Sequence, residues 1–324
     1  MVELERRTVN DWEVLRLRST GLSVDVVPAL GGTVTALTRS DGASLLWSTP
    51  WGLRRRGAWA PPGNAEAVMA DTYPGGWQTL FPNGGDTAVV QGVEWGHHGE
   101  ARLTWLDWEH DENRLSMTGR LVRSPFDLSK VVTLDGTTVV LEESVQNYGG
   151  EAVEVMWGSQ ITFGGDLVGA GSTVSTSASV VRPDPRFSTG TSYDDLMPWP
   201  RSLGQHAIVN LSRVPGPQAE ETRLAYLTDF GQHALTVRNA TGTVGVDLEW
   251  DETWPCVWYS LEAGGRSGFP WFSKGYFLSL TPATSWPAHG LHDVRRNSAT
   301  TVWVQPGERL TSRLLLRVHP APGG

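Results

Sequence analysis

From residue 101 to residue 156 one pattern repeats: apolar and polar residues alternate over short runs that end at Gly, Asn or Asp. The runs are ARLTWLDWEH, RLSMTGRLV, LSKVVTLDGTTVVLEESVQNYG and AVEVMWG. A period of two sends successive side chains to opposite faces of a strand, so each run buries one face and wets the other. Strands of that kind need a second layer over the apolar face, which predicts an all-β chain built as a large antiparallel β-sandwich. Asp135-Gly136, between VVTL and TTVVLEESV, predicts a two-residue hairpin turn, and Asn147-Tyr148-Gly149-Gly150 ends the strand that follows.

The same alternation flanks this meander. WEVLRLRS and LSVDVVPAL within residues 12–38 form a first hairpin, turned by Gly31-Gly32 into TVTALTR, and SLLW at Ser44–Trp47 is a short strand. Residues 51–76 are irregular apart from a helical turn at Ala65–Ala70. Ser172–Pro200 has no period and reads as a long loop of the sort that borders a functional site. LAYLTDF, HALTVRN, TVGVDLEW, CVWYSLE, YFLSLTP, TTVWVQPG and RLTSRLLLRVHP close the chain as strands. With 37 Gly, 20 Pro and 16 Trp, the composition favours many short strands and turns over long helices. Similar segments on both sides of the long loop make residues 1–324 one domain.

The formal charge of −9 opposes phosphate backbones, so nucleic acid is not an expected partner. No apolar run is long enough for a membrane span, and MVELERRTVNDWEV is too charged for a signal segment, so the expectation is a cytoplasmic protein without membrane contact. Cys256, the only cysteine, lies in an apolar run and reads as a buried structural thiol. Arg54-Arg55-Arg56 is a solvated loop by the usual rule for charge runs, with a phosphate clamp as the other reading. Neither His97-His98 nor the pair His289 and His292 forms a metal signature, so no metal and no cofactor is expected.

Polar residues concentrate at two bends between Trp77 and Trp105, in WQTLFPNGGDTAVVQGVEWGHHGEARLTW. This segment resembles the aldose 1-epimerase (galactose mutarotase-like) family, in which a Phe-Pro-Asn turn precedes a His-Gly corner and an Ala-Arg strand ending in Trp. Here those positions are Phe81, Pro82, Asn83, His98, Gly99, Ala101, Arg102 and Trp105. Trp258-Tyr259-Ser260-Leu261-Glu262 and Gly268-Phe269-Pro270-Trp271-Phe272 resemble the family's aromatic strand and the loop after it. The resemblance implies the galactose mutarotase-like supersandwich and a small-molecule carbohydrate or glycoside as partner.

It also implies an acid-base pair for anomer exchange, and both members are replaced. The family's acid, a His, maps onto Gln160 in WGSQITFG beginning at Trp157, and its base, a Glu before Pro, maps onto Thr281. An amide does not titrate, and a Thr hydroxyl is far too weak an acid or base near neutral pH. The resemblance leaves His98 and a carboxylate, with Glu262 ahead of Glu100 and Asp86, as the expected proton-transfer groups. Asn83, Asp86, Glu100, Arg102, Trp157, Gln160, Trp271 and Thr281 are the expected sugar contacts. In an extended strand His97 and His98 would face opposite ways, and Glu100 and Arg102 would share a face. Three readings stand: a sugar-active protein with altered acid-base chemistry, a non-catalytic carbohydrate-binding protein on the same fold, or a structural or interaction module that keeps only the scaffold.

Overall fold

The computed structural model describes residues 2–57 and 64–321. Among these, 17 strands form one antiparallel sheet. Glu3–Val9, Trp12–Arg18, Leu22–Val27 and Thr33–Arg39 pair in succession, followed by Trp77–Leu80, Gly158–Phe163, Tyr276–Ala283 and Cys256–Ala263. Cys256–Ala263 pairs with the first part of Glu221–Arg238, whose second part pairs with Gly245–Trp250. The ladder returns through Arg309–Val318, Thr138–Asn147, Phe126–Asp135, Arg114–Arg120 and Asp107–Asp111. LAYLTDF and HALTVRN are thus parts of one 18-residue strand, and that strand carries the ladder from one layer of the sandwich to the other.

The two layers meet through alternate inward residues, as the period of two requires. Phe126 on the returning layer meets the edge of Phe81 at 4.8 Å between ring centroids. Beside this contact lies a buried charge pair. Lys130 and Glu143 are opposite each other in hairpin register, and both side chains are fully buried. Lys130 Nζ lies 3.1 Å from Glu143 Oε1 and donates at 3.0 Å to Thr79 Oγ1 of the other layer. The Thr79 hydroxyl in turn donates to Glu143. Neither charge is tolerable there without the other, because desolvation is compensated only inside the pair.

Several expectations need correction. The hairpin pairs Asp135 with Thr138, so its turn is Gly136-Thr137, with Gly136 at φ +56°. Ser172–Pro200 is not loop throughout. Thr173–Pro183 is a strand of Ser and Thr alternating with inward Val174, Ala178 and Val181, and it pairs with Glu221–Arg238. Small polar residues facing solvent hid that period. Ala101–Leu103 is a short 3-10 turn and not the start of a strand, and Leu291–Asn297 is a helix where none was expected. The helix expected at Ala65–Ala70 extends over Ala65–Thr72, begun by Asn64, whose side chain accepts from the Ala67 N–H. Cys256 is buried as expected, and burial pushes its thiol well up. Arg55 pairs with Asp11 at 2.6 Å, while Arg54 and Arg56 lie over Trp51 and Trp12.

Removing one member of the buried pair should be costly, and removing both should not. Lys130→Met is expected to destabilise the protein by ~3–5 kcal/mol in urea unfolding, with Lys130→Met/Glu143→Leu recovering most of that loss. Equal destabilisation in single and double variants would show that the pair's charges are not coupled.

Candidate functional site

Gly158–Phe163, Tyr276–Ala283 and Cys256–Ala263 lay the floor of a cavity of about 620 Å³. Gly158–Phe163 pairs on one side with Trp77–Leu80, placing Gln160 opposite Gln78, and on the other with Tyr276–Ala283. The Gln78 amide donates to Gln160 Oε1 at 2.7 Å, which fixes the Gln160 side chain with its own NH2 group left over. Thr281 is the cross-strand neighbour of Trp258, and both line the cavity. The floor therefore reads Gln160, Thr281, Trp258, an amide and a hydroxyl beside an indole face.

An aromatic wall rises from this floor. Trp271 meets Trp47 edge-on at 5.2 Å and stacks on Trp51 at 5.6 Å with the rings 2° from parallel. Tyr73 donates to or accepts from Thr162 Oγ1 at 2.7 Å, and burial pushes its phenol up to about 12. Phe269, largely exposed, continues the wall to the rim.

The opposite wall is made of loops. Gly85, at φ +86°, passes so close to the Ala288 carbonyl that a Cβ there would lie 2.1 Å from that oxygen. This approach joins the turn after Phe81 to the loop before Leu291–Asn297. It brings His97 and His98 to the same cavity as His289. His98 has φ +63°, so the two adjacent histidines are not on opposite strand faces as expected. Their rings lie 4.2 Å apart and both face the cavity. His98 Nδ1 accepts the Gly85 N–H at 2.9 Å, which leaves the proton on Nε2 and makes the neutral ring a donor.

Charge on these rings is strongly opposed. Burial, with Arg102 adding to it, lowers His97 to about 4. Burial, then His97, then Arg102, lower His98 well below the ordinary histidine value. A ring that stays neutral holds a hydroxyl in place but is not a general acid near pH 7.

The fold is shared with known structures. No family model matches the sequence, and no curated protein matches it. A provisionally assigned aldose 1-epimerase from Klebsiella pneumoniae superposes with a TM-score of 0.77 at 13% identity, over 98% of this chain and 83% of that one. A provisionally assigned aldose 1-epimerase from Escherichia coli K12 gives 0.64 at 18% identity, over 95% and 99%. A galactose mutarotase-like protein from Lactobacillus casei gives 0.65 at 13% identity, over 94% and 100%. The chain has the galactose mutarotase-like fold. At such identities the likeness carries the fold, and chemistry rests on the residues of this cavity.

Within this mutarotase-like sandwich the expected residues divide. His98, Glu262, Asp86, Gln160, Trp271 and Thr281 come together around the cavity. Asn83 does not reach it. It is fully buried, donates to the Asp86 carbonyl at 2.7 Å and accepts the Leu291 N–H at 3.0 Å, clipping the two loops together. Glu100 turns away to accept from the Val122 and Arg123 amides and the Ser124 hydroxyl. It begins the short 3-10 turn, so it shares no strand face with Arg102. Arg102 is buried beneath the wall, donating to Thr72 at 3.0 Å, and burial lowers it to about 10. Trp157 is a core residue, edge-on to Trp254 at 5.4 Å.

Glu262 is buried at the cavity edge with donors on both oxygens, the Thr222 hydroxyl at 2.9 Å and the Arg266 N–H at 3.0 Å. Arg186 bridges Asp86 at 2.6 Å and Asp293 at 2.8 Å. Glu66, Asp86 and His97 each bring a ligand atom within 4.8 Å of the others. Arg186 already takes the Asp86 carboxylate, and Arg102 and Arg266 oppose positive charge at His97, so this trio is part of the polar wall and poorly built for a cation. Among the described residues no helix is long and apolar enough to cross a membrane.

The neutral histidines couple stability to pH. Between the ordinary value of 6.5 and about 4 the unfolded chain binds a proton that folded His97 refuses, so stability falls as pH falls through that window. Urea midpoints from pH 7.5 to 4 are expected to drop for the wild type and to drop less for His97→Gln. Parallel curves would mean that His97 is protonated in the folded protein.

Proposed function

We propose that this protein binds a carbohydrate, as a monosaccharide, sugar phosphate or glycoside, in the 620 Å³ cavity, and acts on it with acid-base groups altered from those of standard mutarotation. The observation that carries this reading is the pairing of the Gln160 amide and Thr281 hydroxyl with the Trp258 and Trp271 rings around one cavity. Sugars offer apolar CH faces to aromatic rings and hydroxyl rims to amides, hydroxyls and neutral imidazoles. The reading treats residues 1–324 as one cytoplasmic domain, as the sequence leads us to expect.

A second reading, a carbohydrate-binding protein without catalysis, is favoured by one specific observation. Gln160 and Thr281 occupy the floor where the family resemblance implies titrating groups, and Gln160 is held by an amide partner, not by a charged one.

Ligand line broadening across a panel of aldohexoses, their 6-phosphates and methyl glycosides tests the proposal. At least one ligand is expected to broaden, and Gln160→Ala is expected to weaken it about 3- to 10-fold, the worth of one ordinary hydrogen bond. If the second reading holds, Gln160→His/Thr281→Glu gains anomer exchange that the wild type lacks. A panel with no broadened member would sink both readings.

A further inference from the structure

One cavity histidine lies far in sequence from the corner that the resemblance covers. His289 follows the strand Tyr276–Ala283 by a short loop, lines the cavity, and is mostly buried. Its Nε2 lies 2.7 Å from Asp184 Oδ2. Asp184 is fully buried and lies just after the strand Thr173–Pro183, 105 residues away in sequence. The carboxylate is itself held on both oxygens. The Arg186 N–H donates to Oδ1 at 2.8 Å, and the buried Tyr226 hydroxyl donates to Oδ2. Tyr226 is fixed in turn by accepting the Ala288 N–H at 3.0 Å, from the residue next to His289.

This network sets the tautomer of the ring. An ionised carboxylate only accepts, so the proton of neutral His289 sits on Nε2, and Nδ1 keeps its lone pair. Among the described residues Nδ1 has no hydrogen-bond partner, and it is not one of the sealed, unpartnered buried atoms. It is therefore accessible, on a residue that lines the cavity. His98, whose proton is on Nε2, presents a donor to the same space. Resting on the carbohydrate reading, we propose that His289, oriented by Asp184, is the general base of this cavity and acts on the anomeric hydroxyl of a bound aldose.

The proton moves from O1 to O5 by way of His289. Nδ1 takes the O1 proton, the released O–H pair forms the C1=O bond, and the C1–O5 bond breaks with its pair on O5. A water molecule gives a proton to O5 and takes one from the His289 imidazolium, so one proton has passed from O1 to O5. Asp184 faces the imidazolium while it exists, as a carboxylate that stabilises the positive ring. Tyr226, Tyr193 and the Arg186 N–H also surround Asp184, and His97 faces His289. Closure on the other face of C1 exchanges the anomers. The titrating group has in this way moved from the floor strands, where Gln160 and Thr281 stand, to a loop.

Two-dimensional exchange NMR on free aldohexoses reads binding and chemistry separately. Exchange above the buffer blank is expected for the wild type. His289→Gln is expected to lose about 100-fold or more of that rate while ligand broadening persists. Asp184→Asn, whose amide can donate to Nε2 and drive the proton to Nδ1, is expected to lose rate at saturating sugar with unchanged affinity. A long-range proton–nitrogen spectrum should show His289 as the Nε2–H tautomer in the wild type and changed in Asp184→Asn, a readout that needs no activity. Wild-type exchange in His289→Gln, broadening without exchange in the wild type, or an Nδ1–H tautomer would each overturn the dyad and leave the carbohydrate reading standing. Absence of broadening by any sugar would instead remove the carbohydrate reading on which the dyad rests.

Discussion

The pairing of Gly158–Phe163 between Trp77–Leu80 and Tyr276–Ala283 is the constraint on which the rest of the cavity depends. Its register puts Gln160 opposite Gln78, and the register of Tyr276–Ala283 with Cys256–Ala263 puts Thr281 opposite Trp258. A slip of one residue would turn each of these side chains to the other face of its strand. The floor is thus specified by main-chain hydrogen bonds, and its chemistry by which side chains fall on the inward positions. The buried pair Lys130 and Glu143, reaching Thr79 on the strand beside this floor, ties the second layer to it.

The loops over this floor are positioned differently. They lie outside the 17-stranded sheet. They are fixed by close backbone approach at Gly85, by the Asn83 side chain bonded to both loops, and by the Asp184 carboxylate shared between Tyr226 and His289. Three histidines, His97, His98 and His289, meet there in different electrostatic settings. Desolvation holds His97 and His98 neutral, while His289 faces a buried carboxylate. Burial opposes charge on the first two rings, and a hydrogen-bonded carboxylate orients the third.

Much of the sheet was legible from alternation, because inward and outward residues differ in polarity wherever one face is buried. WEVLRLR, LSKVVTLD and RLTSRLLLRV all read as strands and are strands. Thr173–Pro183 was not legible, since Ser and Thr on its outer face resemble loop composition. The candidate site was legible for Gln160, Thr281 and Glu262, which lie within regular strands, and at the bends for His98, Asp86 and Trp271. Asn83, Glu100 and Trp157 stood near the right bends, but side-chain direction at a bend depends on local φ and on partners far along the chain. The pairing of Asp184 with His289 had no signal in sequence, because neither spacing nor motif links two loops whose strands are separated in the sheet by Glu221–Arg238 and Cys256–Ala263.

The sequence by itself determined the antiparallel sandwich and the residue types on its strands, because a period of two is a local property that survives without coordinates. It also determined that Gln and Thr stand at two floor positions, and hence that no titrating group stands there. Only the tertiary structure decided which loop residues face the cavity, which ring nitrogens are free and which carboxylates are already taken. Those properties follow from burial and from partners that are distant in sequence, and both come into being when the sheet folds over on itself.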